Sequence, residues 1–313
     1  MVAEGLAFPE APRWHDGTLW FSDIFGRRVC RLVGGTVETV ARVEARPSGL
    51  GWRPDGTTLV VSMTDRRLLA LPDDGGQAEE ATPAEGAAPT PGATAARGPA
   101  AEGATPAGGS AAEGATVVAE LASLTGGDCN DMIVDGEGRA YIGEFGYDYA
   151  AGAPRSPAAL IVVEPDGRAR RAADGLWFPN GMAFTDHGRG LLVAETPQSR
   201  ITAFAVGADG SLSGGLVWAE LGDARPDGIS LDAAGALWVA SPGTGELLRV
   251  GEGEVLSVET APGGMAQACV LGGDDGRTLF VCSSPSHDEQ ESVRDRSARF
   301  YARRVDVPAA PSG

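Results

Sequence analysis

One short phrase recurs six times along the chain, and no other property limits the possible folds so much. In its fullest form it runs from Phe178 and Pro179 through Asn180, Gly181, Met182, Ala183 and Phe184 to Asp186 and Gly188, then on to Leu191, Leu192, Val193, Ala194 and Glu195. A polar residue opens a short apolar strand, an Asp/Gly turn reverses it, and a second apolar strand follows. The turn aspartates are Asp16, Asp55, Asp135, Asp186, Asp232 and Asp275, so successive spacings by subtraction are about 39, 80, 51, 46 and 43 residues. Several short strands per unit with a period in the forties indicate propeller blades rather than helical solenoids. The expectation is an all-β chain, a six-bladed β-propeller forming a single domain over 1–313, with a metal site at its centre.

The long spacing has a compositional cause. From about 75 to 116 the chain is almost wholly Ala, Gly, Pro, Thr and Glu. Such a segment buries too little apolar surface to offset the entropy of ordering it. It reads as a low-complexity, flexible insertion between the third and fourth strands of blade two. Loop closure entropy grows only logarithmically with length, so the insertion is tolerable. Blade three is expected to resume at Val117–Leu121, with the 145–157 segment at the channel mouth. Blade four is expected over Leu160–Ala173 and the opening phrase. Blade five then runs from Ile201 to Ser241, and blade six from Leu247 to Ser283. A last strand, Phe300–Val305, closes the ring.

Aligning the six copies places Glu10, Ser48, Asn130, Asn180, Asp227 and Gln267 at one register position. Innermost strands of a propeller converge on its channel, so six side-chain oxygens should converge there. Oxygen-only ligands suit a hard cation, Ca²⁺ first, with Mg²⁺, Mn²⁺ or Zn²⁺ as substitutes. The alternative is a polar, water-lined channel. At the end of the second strand the same alignment collects Asp23, Met63, Glu144, Glu195, Ser241 and Ser283. Of these, Asp23, Glu144 and Glu195 are candidates to orient ligand amides, or else solvated strand ends.

Four pieces carry a family resemblance: Phe8-Pro9-Glu10-Ala11-Pro12-Arg13-Trp14, Asn130-Asp131-Met132-Ile133-Val134-Asp135, Pro179-Asn180-Gly181-Met182-Ala183-Phe184 and Pro226-Asp227-Gly228-Ile229-Ser230-Leu231-Asp232. With them the chain resembles the regucalcin, gluconolactonase and luciferin-regenerating family of calcium propellers, from Phe8 to about Val307. The resemblance implies that Glu10, Asn180 and Asp227 hold the metal and that Asp227 also serves as general base. It implies that Asn130 touches substrate, or the metal in related phosphotriesterase propellers. The basic substrate residue of sugar-lactone members corresponds to Asp128, of opposite charge, and their acidic one to Asp148. The expected activity is opening of a small lactone, most directly a sugar or aldono-lactone. A broader lactonase or organophosphate hydrolase, or a non-catalytic calcium-binding propeller, is the alternative.

The formal charge is −18, from 43 acidic and 25 basic residues, which argues against nucleic acid or an anionic membrane as partner. Met1–Leu6 lacks the basic start and apolar core of a signal peptide, and no run reaches the length of a membrane span. Four cysteines without paired spacing, Cys30, Cys129, Cys269 and Cys282, are expected as reduced, buried residues, giving a cytoplasmic expectation. His15 and His187 fall in the turns, and His287 is expected in a solvated loop.

Overall fold

The computed structural model describes residues 1–72 and 114–311. Six four-stranded antiparallel sheets surround a channel as a six-bladed β-propeller. Blade one is a meander of Pro9–His15, Thr18–Asp23, Arg28–Val33 and Thr36–Arg42, ordered from the channel outward. Blades three, four and five repeat that order from Cys129–Val134, Pro179–Thr185 and Ile229–Leu231. In blade six the outermost place is taken by the first strand of the chain, Ala3–Leu6, which pairs with Ala298–Arg304. Pairing the two chain ends in one sheet removes the open edge that an incomplete ring would leave.

The blade phase differs from the sequence reading by half a unit. Thr116–Glu120 pairs with Arg67–Ala70 as the outer strand of blade two, so Val117–Leu121 does not begin blade three. Leu160–Ala173 likewise belongs to the outer half of blade three, Ile201 to blade four and Leu247 to blade five. The recurring phrase is the inner hairpin that begins each blade, and the less regular outer hairpin follows it. Residues 75–113 of the expected 75–116 insertion lie outside the described residues. At its far end, Thr116 already belongs to a strand.

Burial follows the radial layout. Leu59, Val61 and Leu68 of blade two pack with Met132, Ile142 and Ile161 of blade three. Leu192, Ala194 and Ile201 of blade four meet Leu237, Val239 and Leu248 of blade five in the same way. The core is therefore a ring of apolar wedges between neighbouring sheets. All four cysteines are buried and unpaired, and burial pushes their thiols up. No helix among the described residues is long and apolar enough to cross a membrane.

Two backbone devices bring polar residues to the channel. Pairing of the inner hairpin is interrupted between Glu10 and Arg13, Pro47 and Leu50, Cys129 and Met132, and Pro179 and Met182. Each interruption spans the register position that carries the polar side chain, and such bulges re-aim a residue at the price of ladder bonds. The second device is the glycine that follows that residue. A Cβ on Gly181 would stand 2.6 Å from the Asp227 carbonyl oxygen, and one on Gly228 would stand 2.2 Å from the Ala268 Cβ. Only glycine lets adjacent inner strands approach so closely, and the bonds Gly181 N–H to Asp227 O (3.1 Å) and Gly228 N–H to Gln267 O (2.9 Å) exploit the approach.

Candidate active site

At one mouth of the channel lies a cavity of about 370 Å³ whose lining includes Glu10, Asn130, Asn180 and Asp227. These are four of the six residues aligned by register. Ser48 and Gln267 are buried but do not line it. The Gln267 oxygen accepts from Ser284 N–H at 2.7 Å and its amide nitrogen donates to Ser284 O at 3.4 Å, so this side chain braces a loop. The expectation of six converging oxygens is corrected to four residues at the cavity.

The two amides are oriented by their neighbours. Asn130 donates through Nδ2 to Pro179 O at 3.3 Å, which leaves its oxygen unengaged among the described residues. Asn180 donates to Thr196 Oγ1 at 3.2 Å, and that hydroxyl donates to Pro226 O at 2.7 Å. The carboxylates are in a different situation. Burial pushes Glu10 up to about 8, against the pull of the Ala11 N–H that binds its Oε2 at 2.9 Å; nearby Asp131 adds to the rise and Arg13 opposes it. Asp227 is raised well above the usual carboxylate range by burial first, then by Glu10 and Asp131, while hydrogen bonding with Asn180 works the other way. Neither makes an ion pair among the described residues. The nearest guanidinium, Arg13, is committed to Asp131 Oδ1 at 2.6 Å, Met132 O at 2.6 Å and Leu50 O at 3.2 Å.

Two half-buried carboxylates without an ion-pair partner among the described residues, set beside two oriented amides, form a donor set that fits a hard cation. No three His, Cys, Asp or Glu side chains converge among the described residues, so a cation here takes its other oxygens from amides or water.

Asp23, Glu144 and Glu195 are buried, which excludes solvated strand ends. Nor do they hold ligand amides. Asp23 accepts from the Ala7 and Phe8 N–H groups at 3.0 and 2.8 Å, Glu144 from Gly126 and Gly127 at 3.0 Å each, and Glu195 from Trp177 at 2.8 Å. Each clamps the main chain just before an inner strand, fixing where Glu10, Asn130 and Asn180 begin. Ser241 does the same for blade five by accepting from Arg225 N–H at 2.9 Å.

Asp128 lines the cavity, and burial raises its carboxyl despite Arg46 and Arg66 nearby. Asp148 does not line it; its carboxylate is exposed and accepts from Ala151 N–H at 2.9 Å, a turn-stabilising bond. The substrate expectation for Asp148 is corrected accordingly. His287 is exposed in a loop as expected, and its ring also borders the cavity, edge-on to Phe8 at 5.3 Å, where partial burial lowers its pKa.

Apart from Asp128, sequence reasoning missed most of the cavity wall. Phe8, Arg46, Asp128, Phe178 and Arg225 all line it, and each stands two positions before a register residue. The same alignment, read two columns earlier, contains that signal. Arg46 and Phe178 adopt φ of 67° and 52°, a left-handed backbone that bulky residues rarely take.

A closed six-bladed ring with an acid-and-amide floor at one mouth defines a propeller built to receive a small ligand. The chain belongs to the family described as the SMP-30/Gluconolactonase/LRE-like region, which it matches over residues 8–285. It is 29% identical over 185 residues to a 6-deoxy-6-sulfogluconolactonase of Pseudomonas putida, a match covering 57% of this chain and 62% of that protein. A pentonolactonase of Haloferax volcanii is 26% identical over 190 residues, covering 58% and 62% of the two chains. The chain thus matches less than two thirds of the length of these relatives. Among solved structures, a calcium-binding regucalcin from Agrobacterium tumefaciens superposes with a TM-score of 0.73 at 20% identity, covering 99% of this chain and 93% of the other. That likeness bears on the fold.

Proposed function

We propose that the protein is a divalent-metal-dependent hydrolase, with Ca²⁺ as its cation, that opens a small lactone at the Glu10–Asn130–Asn180–Asp227 site. The observation that carries this reading is the pair of carboxylates, Glu10 and Asp227, half-buried at the floor of the cavity and without an ion-pair partner among the described residues. Sequence relatives named as lactonases support the choice of bond.

Glu10, Asn180 and Asp227 hold the ion, and Asn130 holds either the ion or the substrate. Bound calcium supplies a Lewis acid that polarises the ring carbonyl and favours negative charge on its oxygen. Asp227 accepts a proton as water oxygen bonds to the carbonyl carbon. The ring C–O bond then breaks, and its oxygen takes up a proton to give the hydroxy acid. The same burial that makes Asp227 costly to ionise makes it a stronger base once ionised. Glu10 serves affinity rather than proton transfer, held by the Ala11 N–H in one orientation. Asn180 is kept oxygen-forward by Thr196.

Chelator-stripped protein should not open glucono-, pentono-, alkyl or aryl lactones. Adding back Ca²⁺, Mg²⁺, Mn²⁺ or Zn²⁺ in turn, with acid release followed by indicator, should restore turnover and identify the preferred ion. A phosphotriester included in the panel separates a lactonase from an organophosphate hydrolase. Calcium-loaded protein that turns over nothing in the panel would leave a binding propeller as the better account.

A further inference from the structure

Resting on that reading of the site, we infer that the lactone this cavity takes carries an apolar or aromatic body rather than a ring of free hydroxyls. Above the acid-and-amide floor, a continuous stretch of the wall is hydrocarbon. Phe8, Ile24 and Met63 are buried together with Phe25 and Phe145 packed against them. Phe8 and Phe25 have ring centroids 4.7 Å apart. Phe145 extends the wall by stacking on Phe178 at 4.2 Å and 9°, and Tyr149, more than half exposed, lies 5.6 Å from Phe145. All of these residues line the one cavity.

The placement of Phe178 carries a conformational cost. Its φ of 52° precedes a proline and belongs to a region that a bulky residue avoids. The strained backbone puts an aromatic ring at the cavity, in the register column that elsewhere holds Phe8, Arg46, Asp128, Arg225 and Met265.

Several polar groups of the lining are already engaged. Arg46 donates to Glu289 Oε2 at 2.6 Å, Arg225 donates to Ser199 Oγ, and the amide nitrogens of Asn130 and Asn180 and the Thr196 hydroxyl are occupied as described. A polyhydroxylated ring would turn several hydroxyls toward Phe, Ile and Met carbons, and each hydroxyl stripped of water without a partner costs binding energy. An alkyl or aryl substituent gains from the same wall.

The test compares glucono-δ-lactone, δ-decalactone and dihydrocoumarin on calcium-loaded protein. Alongside turnover, calorimetry measures binding of their non-hydrolysable lactams, dihydroquinolinone and gluconolactam. The expected result is tenfold or greater preference for the apolar partner in both readouts, about what a few buried methylenes supply. Tyr149→Ser and Phe145→Ala should lower that preference by raising KM for the aryl lactone without changing kcat. Tight dihydroquinolinone binding with no turnover of any lactone would uphold the apolar cavity while sinking the hydrolase reading. Equal or tighter binding of gluconolactam, or faster opening of gluconolactone, would overturn the inference. So would failure of both lactams to bind.

Discussion

Two sets of carboxylates belong to the inner hairpins, Asp23 and Glu195 fully buried and Glu10 and Asp227 half-buried at the cavity, and their surroundings are opposite. Asp23 and Glu195 are saturated. Asp23 accepts two main-chain N–H bonds and pairs with Arg28 at 2.9 Å, and Glu195 binds Trp177 N–H, Arg200 at 2.8 Å and the Thr202 hydroxyl. Glu10 and Asp227 have neither a guanidinium nor more than one main-chain donor, and they repel each other. A buried charge is tolerable where the fold supplies its partners, and it signals a missing ligand where the fold does not. The first set holds the propeller together; the second leaves a place for a cation.

The sharpest way to break this division is by activity. Asp227→Asn should lower kcat about 100- to 10,000-fold, the range for losing a general base, while the protein stays folded. Steady-state kinetics with saturating calcium decides it, and an unchanged kcat would remove Asp227 from the chemistry. Next in size is stability. Glu195→Ala should cost about 3–5 kcal/mol in urea unfolding, because it strands Arg200 and a buried N–H. Glu10→Gln, measured without metal, should cost nothing and should be the more stable form because it relieves repulsion, the usual exchange of function for stability. Equal losses in the two variants would erase the distinction.

A pH series sharpens it further. Glu10 sits at about 8 in the folded chain against an ordinary value of 4.5, so within that window the folded state binds the extra proton. Stability of the metal-free protein therefore falls as pH rises from about 5 to 8, and Asp227 acts in the same direction. Urea midpoints should show that fall in the wild type and a shallower one in Glu10→Gln. Saturating calcium should offset it, adding about 2.7 kcal/mol at a hundred times Kd. The smallest effect belongs to Asp148→Ala. It loses one exposed turn bond and should change stability by about 0.5 kcal/mol at most, with kcat/KM untouched.

How far the sequence could be read follows from the same geometry. The inner hairpins are strongly patterned because they face both the channel and two neighbouring blades, so six units and the register of Glu10, Asn130, Asn180 and Asp227 are legible. Outer strands face solvent, as exposed Leu216, Val217 and Val258 illustrate, and their weak patterning hides where each blade ends. The fate of Gln267 was not legible, because an amide at that column can serve a ligand or a loop. What decides between them is Ser284, seventeen positions away. Phe8 and Phe178 of the aromatic wall stand two columns before the register residues, whereas loop residues such as Tyr149 do not declare themselves through periodicity.

The account turns on whether Glu10 and Asp227 hold a divalent ion. The most direct measurement is calorimetric titration of Ca²⁺ into chelator-stripped protein at pH 7, repeated in two buffers of different ionisation enthalpy. A single site is expected that releases at least one proton on binding, since Glu10 is mostly protonated at that pH and Asp227 is raised in the same direction, and that disappears in Glu10→Gln but survives in Asp148→Ala. Absence of binding, or a site indifferent to Glu10→Gln, would contradict it.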